Sequence, residues 1–418
     1  MTLPRALLGI AILIGLAWLL SWDRKRIPWR TVIGGILLQV VVVFTIAKTE
    51  TGQAFFSGAA RFVSKLVSMA VPGAEMVFGG LARPSETMGF VFAFAGTGLV
   101  LIIFISALMS VLYHLGVMQI LVWALAKVMS RTMGLSGGEA MAAAANIFMG
   151  QTEAPLVVKP YLPVMTKSEI HALMVGGFAT IAGSVMAVYM SVLGPELAPH
   201  LITASVMSAP ASFVIAKIVL PEREVSVTSG DIALRFDKQA GNLIEAAANG
   251  TTDGLRLWLN VIAMLIAFVA LVALVNWPLQ ALGEALSLDG GLSLQRIFGW
   301  IFAPIAWVIG VSGWHDCQII GGLLGTQISL NEFVAFQGLA QTMNATDPAL
   351  MLQDPRSAKI AAYALCGFAN FSSIGIQLGG ISALIPERKG ELSKIAFRAM
   401  LGGALACWMT ATVAAAFL

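Results

Sequence analysis

Two glutamates stand out because each interrupts an apolar stretch long enough to enter a membrane. Glu153 follows Gln151 and Thr152 in an alanine- and glycine-rich segment, and Glu332 follows Asn331 in a second one. A carboxylate within a bilayer costs roughly 2.5–3.5 kcal/mol on insertion scales, so such a residue generally has a function or an internal partner. No Lys or Arg stands beside either glutamate to serve as that partner. We therefore predict that both belong to a site for a polar ligand.

The residue types near these glutamates suit a neutral ligand that is rich in hydrogen-bonding groups. Gln151 and Asn370 offer amide donors and acceptors, and the carboxylates are strong acceptors. An anion would meet two carboxylates, whereas a cation would leave the amides unused. Phe368 could contact a flat ring, although an aromatic residue in a membrane helix more often serves packing.

A second group of residues could hold a sodium ion. Asn146 and Thr180 carry oxygen donors, and the small residues around Thr180 and Ile181 would let a helix unwind and expose its carbonyls. Each side chain could equally make an interhelical hydrogen bond, worth about 0.6 kcal/mol on average. From the residues alone, both interpretations stay open.

The chain lacks the motifs of common hydrolases and ATPases, since it contains no Walker A, GxSxG or HExxH sequence. An intramembrane enzyme would need a nucleophile and base or a set of metal ligands, and neither is convincing here. His315-Asp316 is typical of a helix start. Cys317, Cys366 and Cys407 have apolar neighbours and no CxxC spacing, which predicts packing residues. We predict that the protein is not an enzyme and has no cofactor.

Membrane helices must position these residues. The 418 residues are 58% hydrophobic and 11% charged, against roughly 25% charged in soluble proteins. A net charge of +3 gives no reason to expect nucleic acid as a partner. Eight apolar runs predict eight transmembrane helices in an all-α integral membrane protein. The runs are 7–20, 32–47, 98–115, 172–193, 201–220, 257–275, 361–384 and 395–418.

Three further apolar stretches are interrupted. Residues 53–71 carry Arg61 and Lys65 on one helical face, which favours a helix lying along the interface. Residues 137–164 and 317–339 each contain a polar break with too few residues on either side to cross alone. This pattern predicts two re-entrant helical hairpins, covered by protein or by a water-filled cavity.

Basic residues predict the orientation in the membrane. The cluster at 23–26 follows the first run and should stay in the cytoplasm, which places the N-terminus outside. The segments 24–30, 127–167, 217–238 and 388–398 then fall in the cytoplasm and hold most of the Lys and Arg, whereas 194–200 lies outside and has neither. A signal peptide is the alternative for residues 7–20, but no small-residue cleavage site follows. The polar segment 222–249 is predicted to be a solvated cytoplasmic loop.

An internal repeat relates the two halves of the chain. Gly-Phe-Ala occurs at 177–179 and again at 367–369, each time after a predicted hairpin and before a further helix. Three common residues could coincide by chance, but the shared order of elements makes a repeat the better explanation. The single span between the copies reverses the second one, which predicts an inverted repeat with a ligand site near the bilayer midplane.

Three motifs resemble the signatures of the concentrative nucleoside transporters: Asn-Ile-Phe-Met-Gly-Gln-Thr-Glu-Ala-Pro at 146–155, Asn-Glu-Phe-Val-Ala at 331–335 and Cys-Gly-Phe-Ala-Asn-Phe-Ser-Ser-Ile-Gly at 366–375. The similarity extends over essentially the whole chain. It implies a homotrimer in a bacterial inner (plasma) membrane that imports nucleosides such as uridine, cytidine and adenosine by sodium symport. It also implies elevator-type alternating access; proton coupling is the alternative.

The resemblance implies roles for individual residues. Four would meet the nucleobase: Gln151, Thr152, Glu153 and Val185. Three would bind the ribose, with Phe368 at the border of the site: Glu332, Asn370 and Ser373. Four would hold sodium, the second and fourth through their carbonyls: Asn146, Met149, Thr180 and Ile181. Relatives thought to use protons tend to lack the asparagine, so its presence favours sodium, and Thr180 keeps the hydroxyl of the more familiar serine.

Four parts of the chain follow from this interpretation. Residues 1–136 would supply scaffold spans 1–3 and interfacial helices, and residues 137–220 the first transport repeat. Residues 221–316 would hold the cytoplasmic loop, scaffold span 6 and an interfacial helix, and residues 317–418 the second repeat. Residues 312–316 depart from the proline-containing turn that many relatives have at the start of the second hairpin.

Overall fold

The computed structural model describes residues 2–82, 99–228, 240–287 and 291–418. In these ranges the regular secondary structure consists of helices, with no strands, which confirms the predicted all-α class. Gly98 of the third predicted span and residues 229–238 of the predicted cytoplasmic segment lie outside them.

The helices before the first predicted hairpin include several that the apolar runs indicated. Within residues 2–82 and 99–133 they are α1 (Leu3–Leu19), α2 (Trp29–Lys48), α3 (Glu50–Phe78), α4 (Leu101–His114) and α5 (Val117–Met133). The predicted interfacial segment lies in α3, a continuous helix that is itself long and apolar enough to cross a membrane. Its placement along the interface stays a prediction.

The predicted repeat is present as two matching series of helices. The first consists of α6 (Gly137–Asn146), α7 (Ala154–Val157), α8 (Lys167–Ala179), α9 (Gly183–Leu193) and α10 (Ala198–Val219). Between the two series lie α11 (Leu243–Ala285) and α12 (Leu294–Val308). The second consists of α13 (Trp314–Ser329), α14 (Glu332–Met343), α15 (Pro355–Ala364), α16 (Phe371–Leu384) and α17 (Lys389–Ala415).

Each series contains a hairpin, a broken helix and an unbroken helix, in that order. In the described parts of the chain, six helical segments are long and apolar enough to span a membrane, or seven if the α4–α5 pair, bent by 77°, is one span. The predicted run 361–384 is split between α15 and α16. Helix α1 has 17 residues and is thus one residue shorter than the 18 that these six segments reach. The count of eight spans stays a prediction.

Side-chain caps explain why helices begin again after the breaks. The Asn331 side chain accepts the N–H of Val334 at the start of α14, and the Asn370 side chain accepts the N–H of Ser373 at the start of α16. Asparagine is among the preferred N-cap residues because its oxygen satisfies a backbone donor that has no partner within the helix. A polar residue inside each apolar stretch thus caps the helix that begins directly after the break.

The two broken helices cross at their breaks. A Cβ atom on Gly367 would lie 2.7 Å from the Phe178 carbonyl oxygen and 2.5 Å from Cys407 Sγ, so only glycine permits this approach. The Cys407 thiol lies 3.5 Å from the carbonyl oxygens of both Ala179 and Cys366. Helix α17 therefore packs against both breaks. All three cysteines are buried and unpaired, as the packing prediction expects.

The helices outside the repeats pack in two different ways. Helices α1 and α2 lie against α10 and α17 of the repeats, and α12 lies along α13. Helices α4 and α11 instead pack chiefly against each other. Gly250 and Gly254 of α11 allow this, because a Cβ on either would come within 2.6–2.7 Å of the α4 backbone. Small residues four apart are a common device for close helix contact in membranes.

The predicted cytoplasmic segments meet at one end of the molecule. The Trp22 ring lies under Lys167 Nζ at 3.9 Å and under the Arg398 guanidinium at 5.0 Å. Arg223 pairs with Asp23 at 2.9 Å. Contacts among these segments support their placement on one side of the membrane, although which side faces the cytoplasm stays a prediction.

One sequence prediction at this end is wrong. Residues 229–239 of the segment 222–249 lie outside the described ranges, but the rest does not form a single solvated loop, because the helix α11 already begins at Leu243 and Thr228 is buried. The Thr228 hydroxyl and the Ser226 hydroxyl each donate to Glu169 Oε1 at 2.5 Å. A buried carboxylate at the start of α8 thus draws this polar segment inward.

Candidate functional site

A cavity lies between the two hairpins and the two broken helices. The structure brings together in its lining all eight predicted ligand contacts: Gln151, Thr152, Glu153, Val185, Glu332, Phe368, Asn370 and Ser373. The cavity volume of about 170 Å³ is roughly tenfold what a single water molecule needs. The space is therefore large enough for an organic ligand.

Glu332 is held as an acceptor on the second hairpin. It is the first residue of α14 and is buried. Tyr189 donates its hydroxyl to Glu332 Oε1 at 2.7 Å, and Asn370 Nδ2 donates to Oε2 at 3.1 Å. Each carboxylate oxygen can accept more than one hydrogen bond, so both retain the capacity to bind ligand hydroxyls.

Asn370 serves the fold and the site at the same time. Its Oδ1 accepts the N–H of Ser373 at 2.8 Å and the Ser372 hydroxyl at 2.7 Å. Because that oxygen is committed to capping α16, the amide nitrogen must face Glu332. The direction of this amide is therefore set by the start of the helix.

The first hairpin presents three polar residues in a row. Glu153 precedes α7 and accepts the N–H of Gly150 through Oε2 at 3.2 Å. Unlike Glu332, it is exposed, and it faces the cavity. Gln151 is buried and donates its Nε2 to Ser373 Oγ at 3.2 Å. This bond joins the tip of the first hairpin to the second broken helix.

Sequence reasoning missed two polar residues that support the site. Tyr189 of α9 contacts Glu332, and Gln377 of α16 donates to Gln151 Oε1 at 3.1 Å. Both are buried within otherwise apolar helices. A polar residue inside an apolar run was the available signal, but the sequence does not show which way its side chain points.

An apolar wall closes the remaining side of the cavity. It comes from one residue before α4, from α4 itself and from α11: Leu99, Ile102, Leu257, Val261, Met264 and Leu265. Apolar spans carry many such residues, so the sequence does not distinguish those that face a ligand from those that face lipid. The site thus combines polar groups on the repeats with an apolar surface on the α4–α11 pair.

The residues proposed to hold sodium lie at two breaks that contact each other. The N–H of Gly183 donates to the Phe148 carbonyl at 3.0 Å, which joins the break after α6 to the break after α8. Asn146 ends α6 and is 1% exposed, and neither polar atom of its amide has a hydrogen-bond partner in the described structure. A buried amide normally has partners, so the free Oδ1 fits ion coordination, whereas Nδ2 is only a donor and cannot bind a cation.

Thr180 is the second side chain of this group. It lies at the end of α8 in an extended conformation, and its hydroxyl donates to the Gly176 carbonyl at 2.9 Å. The hydroxyl oxygen still has lone pairs for an ion. Ile181 follows within the break, and Met149 lies in the break after α6. The Met149 N–H still donates to the Ala145 carbonyl at 2.9 Å, but the regular helices end before the carbonyls of Met149 and Ile181, which is the backbone arrangement that an ion site of this kind uses.

Comparisons with known proteins agree with this architecture. Residues 200–415 match the family model "Na+ dependent nucleoside transporter C-terminus", and residues 8–81 match its N-terminal counterpart. Residues 96–196 match a gate model described as "Nucleoside recognition". The three matches follow one another along the chain and include both hairpins.

Individual relatives cover the whole chain. An uncharacterized transporter of Haemophilus influenzae is 43% identical over 418 residues, which are 100% of this chain and 98% of the relative. The solved structure of CNTnw in an inward-facing substrate-bound state is 39% identical, with a TM-score of 0.91 over 99% of this chain and 97% of that one. A substituted CNTnw in an outward-facing state is also 39% identical, with a TM-score of 0.90 over 100% and 98%. The chain belongs to the family of sodium-dependent nucleoside transporters and is a multi-pass membrane transporter, not an enzyme.

Proposed function

We propose that the protein imports nucleosides such as uridine, cytidine and adenosine across a bacterial inner membrane by symport with sodium. The observation that carries the proposal is the cavity in which the carboxylate of Glu332 and the amides of Gln151 and Asn370 face an apolar wall. Such a lining suits a molecule with hydroxyl groups at one end and a flat ring with polar edges at the other. The family's description as sodium-dependent supports the coupling ion.

In this proposal the two repeats contact different parts of the ligand. Glu332, Asn370 and Ser373 bind the ribose, whose hydroxyls are donors for the carboxylate. Gln151, Thr152 and Glu153 of the first hairpin meet the base. Val185 and Phe368 border the ring.

Sodium binds first, between the two breaks that meet at Phe148 and Gly183, and orders the tip of the first hairpin. Asn146 and Thr180 supply side-chain oxygens, and Met149 and Ile181 supply carbonyls. The nucleoside then completes the site and the loaded part crosses the membrane. Ligands can drive such a change only through different affinities for the two states.

The division into scaffold and transport parts stays a prediction, and the packing of the helices supports a modified version of it. Helices α1 and α2 lie against the repeats, whereas α4 and α11 form a pair that supplies the apolar wall. We therefore assign α4 and α11 to the stationary part and α1 and α2 to the moving one. Solved structures of CNTnw in inward-facing and outward-facing states support alternating access. A homotrimer with the N-terminus outside completes the proposal.

Uptake into proteoliposomes tests the function. Radiolabelled uridine should accumulate when an inward sodium gradient is imposed, and it should not accumulate with choline in place of sodium. Equal uptake in the two salts would refute sodium coupling. Accumulation driven by a pH jump without sodium would establish the proton-coupled alternative, and no uptake of any nucleoside would refute the function itself.

Replacing Asn146 with alanine should abolish the sodium dependence of uridine uptake. The two polar atoms of this amide lack hydrogen-bond partners in the described structure, so the fold does not need them. The thermal unfolding temperature in choline should therefore stay within a few degrees of the parent. Asn344→Ala, at an exposed position, is the matched control. Unchanged stimulation by sodium in Asn146→Ala would remove this residue from the ion site.

Replacing Tyr189 with phenylalanine should weaken uridine binding about tenfold or more. The substitution removes the 2.7 Å hydrogen bond to Glu332, and a bond to a charged group contributes roughly 1.5–3 kcal/mol. Isothermal titration calorimetry in sodium measures the change. Tyr363→Phe is the control, because that buried hydroxyl contacts His200 at 3.1 Å, outside the cavity lining. Equal losses in both variants would point to a general effect on the fold.

A further inference from the structure

We propose that Gln377 is a positioning residue: it fixes the direction of the Gln151 amide and so determines which hydrogen-bonding edge of a nucleobase the site accepts. The inference rests on the proposed function, since it concerns how a base would be distinguished. Gln377 is absent from the cavity lining and would act only through Gln151.

The first step is the direction of the Gln377 amide. This side chain is fully buried, and its Nε2 lies 3.1 Å from the Met174 carbonyl oxygen and 3.1 Å from Gln151 Oε1. A backbone carbonyl can only accept a hydrogen bond, so the atom that faces it must be the nitrogen. Both hydrogens of that nitrogen are then used, one for each partner.

The second step passes this direction to Gln151. Because Gln377 donates, the nearest Gln151 atom must be its oxygen, and its nitrogen then faces Ser373 Oγ at 3.2 Å. Gln151 retains one hydrogen on Nε2 and one lone pair on Oε1 for a ligand. The positions of this donor and this acceptor cannot be exchanged, because the Met174 carbonyl sets the direction of the Gln377 amide and Gln377 sets that of Gln151.

A packing role does not explain why residue 377 is a glutamine. Its Oε1 is buried and has no hydrogen-bond partner among the described residues. A buried polar atom without a partner is destabilising, whereas an apolar side chain of similar shape in its place can be neutral or stabilising. A methionine would therefore fill the space at lower cost. What methionine lacks is the pair of donors that orients Gln151.

The inverted repeat supplies an independent parallel. Tyr189 is the seventh residue of α9 and holds Glu332 of the second hairpin, and Gln377 is the seventh residue of α16 and holds Gln151 of the first. The second half of each broken helix thus braces a binding residue on the hairpin of the other repeat. The two residues match when counted from the starts of their helices and lie two residues out of register when counted from Gly-Phe-Ala, so the parallel is one of task and helix position.

The direction of an amide distinguishes uracil from cytosine. Uracil presents an N–H donor beside a carbonyl acceptor, and cytosine presents a ring-nitrogen acceptor beside an amino donor. An amide offers one donor and one acceptor, so in one direction it matches uracil and in the other it matches cytosine. A rotating amide matches both, whereas a fixed one favours a single base.

Two substitutions at Gln377 test the inference through the ratio of the Kd values for uridine and cytidine, measured by calorimetry in sodium. Gln377→Met removes both donors and frees the Gln151 amide, so the ratio should move toward one. Gln377→Glu places at most one hydrogen where the amide nitrogen had two. That hydrogen is needed by Met174, so Gln151 must turn its nitrogen toward residue 377, and the ratio should shift by about tenfold toward the base that the parent disfavours.

Gln39→Met is the matched control. Gln39 is also fully buried, donates to a backbone carbonyl and has an Oε1 without a hydrogen-bond partner in the described ranges, but it lies on α2 away from the cavity. Its ratio should equal that of the parent. Ratios within twofold of the parent in both Gln377 variants would overturn the inference, as would equal shifts in Gln39→Met. A parent that binds neither nucleoside would instead refute the proposed function, and the inference with it.

Discussion

Uridine binding is expected to disappear when Glu332 is replaced by glutamine. Asn370 Nδ2 is fixed as a donor, so it must face the new amide oxygen, and the new nitrogen must face Tyr189, whose hydroxyl can rotate to accept it. The surrounding structure thus tolerates the change. The ligand does not, because a neutral amide replaces the charged acceptor for its hydroxyls. Loss of two charge-assisted bonds at roughly 1.5–3 kcal/mol each lowers affinity by at least about a hundredfold.

Calorimetry with uridine in sodium checks this expectation. The thermal unfolding temperature of Glu332→Gln should remain close to that of the parent, which separates loss of binding from loss of fold. Glu196→Gln, at an exposed position between α9 and α10, controls for the change of charge. Affinity within threefold of the parent would remove Glu332 from the ligand site.

The largest effect on stability is expected from replacing Lys217 with methionine. Lys217 is buried at the end of α10, where it pairs with the buried Glu139 and donates to the Ser168 hydroxyl at 2.9 Å. Without the lysine, the Glu139 carboxylate has no salt-bridge partner among the described residues. Breaking a buried ion pair from one side costs about 3–5 kcal/mol. The measurement is the midpoint of unfolding in a mild detergent.

A double substitution shows whether the isolated charge is the cause. Lys217→Met with Glu139→Gln removes both charges and should recover most of the lost stability, whereas two independent losses would add. Lys159→Met, at an exposed position, should leave the midpoint unchanged. If the double variant is less stable than Lys217→Met, the ion pair is not the cause of the loss.

The candidate site could be predicted to the extent that it is local in sequence. Glu153, Glu332 and Asn370 stand out because each lies at a polar break in an apolar run. A helix ends at such a break, and a polar group is tolerated there at membrane depth because protein or a water-filled cavity covers it. Tyr189 and Gln377 lie within helices instead. Their roles depend on how each helix is rotated toward the opposite repeat, which a single helix does not encode.

The same limit applies to the fold. The order of hairpins and broken helices follows from local composition, and it is confirmed. Which helices pack together depends on shape over long distances, as Gly250 and Gly254 show by allowing α11 to meet α4. The polar segment after α10 gives the converse case. In the sequence, its hydroxyl residues are typical of a solvated loop. In the fold they donate to the carboxylate of Glu169, nearly sixty residues earlier in the chain, and this contact could not be predicted from the segment alone.

The crossing of the two broken helices limits where motion can occur. Gly367 touches the Phe178 carbonyl, and the Cys407 thiol contacts the carbonyls of Ala179 and Cys366. The places where the backbone is least regular are therefore held from three sides, and an unwound segment that is clamped in this way cannot serve as a hinge. We therefore expect the bending that the proposed transport needs to fall in the connections to α4 and α11, with the ligand inside a body that keeps its shape.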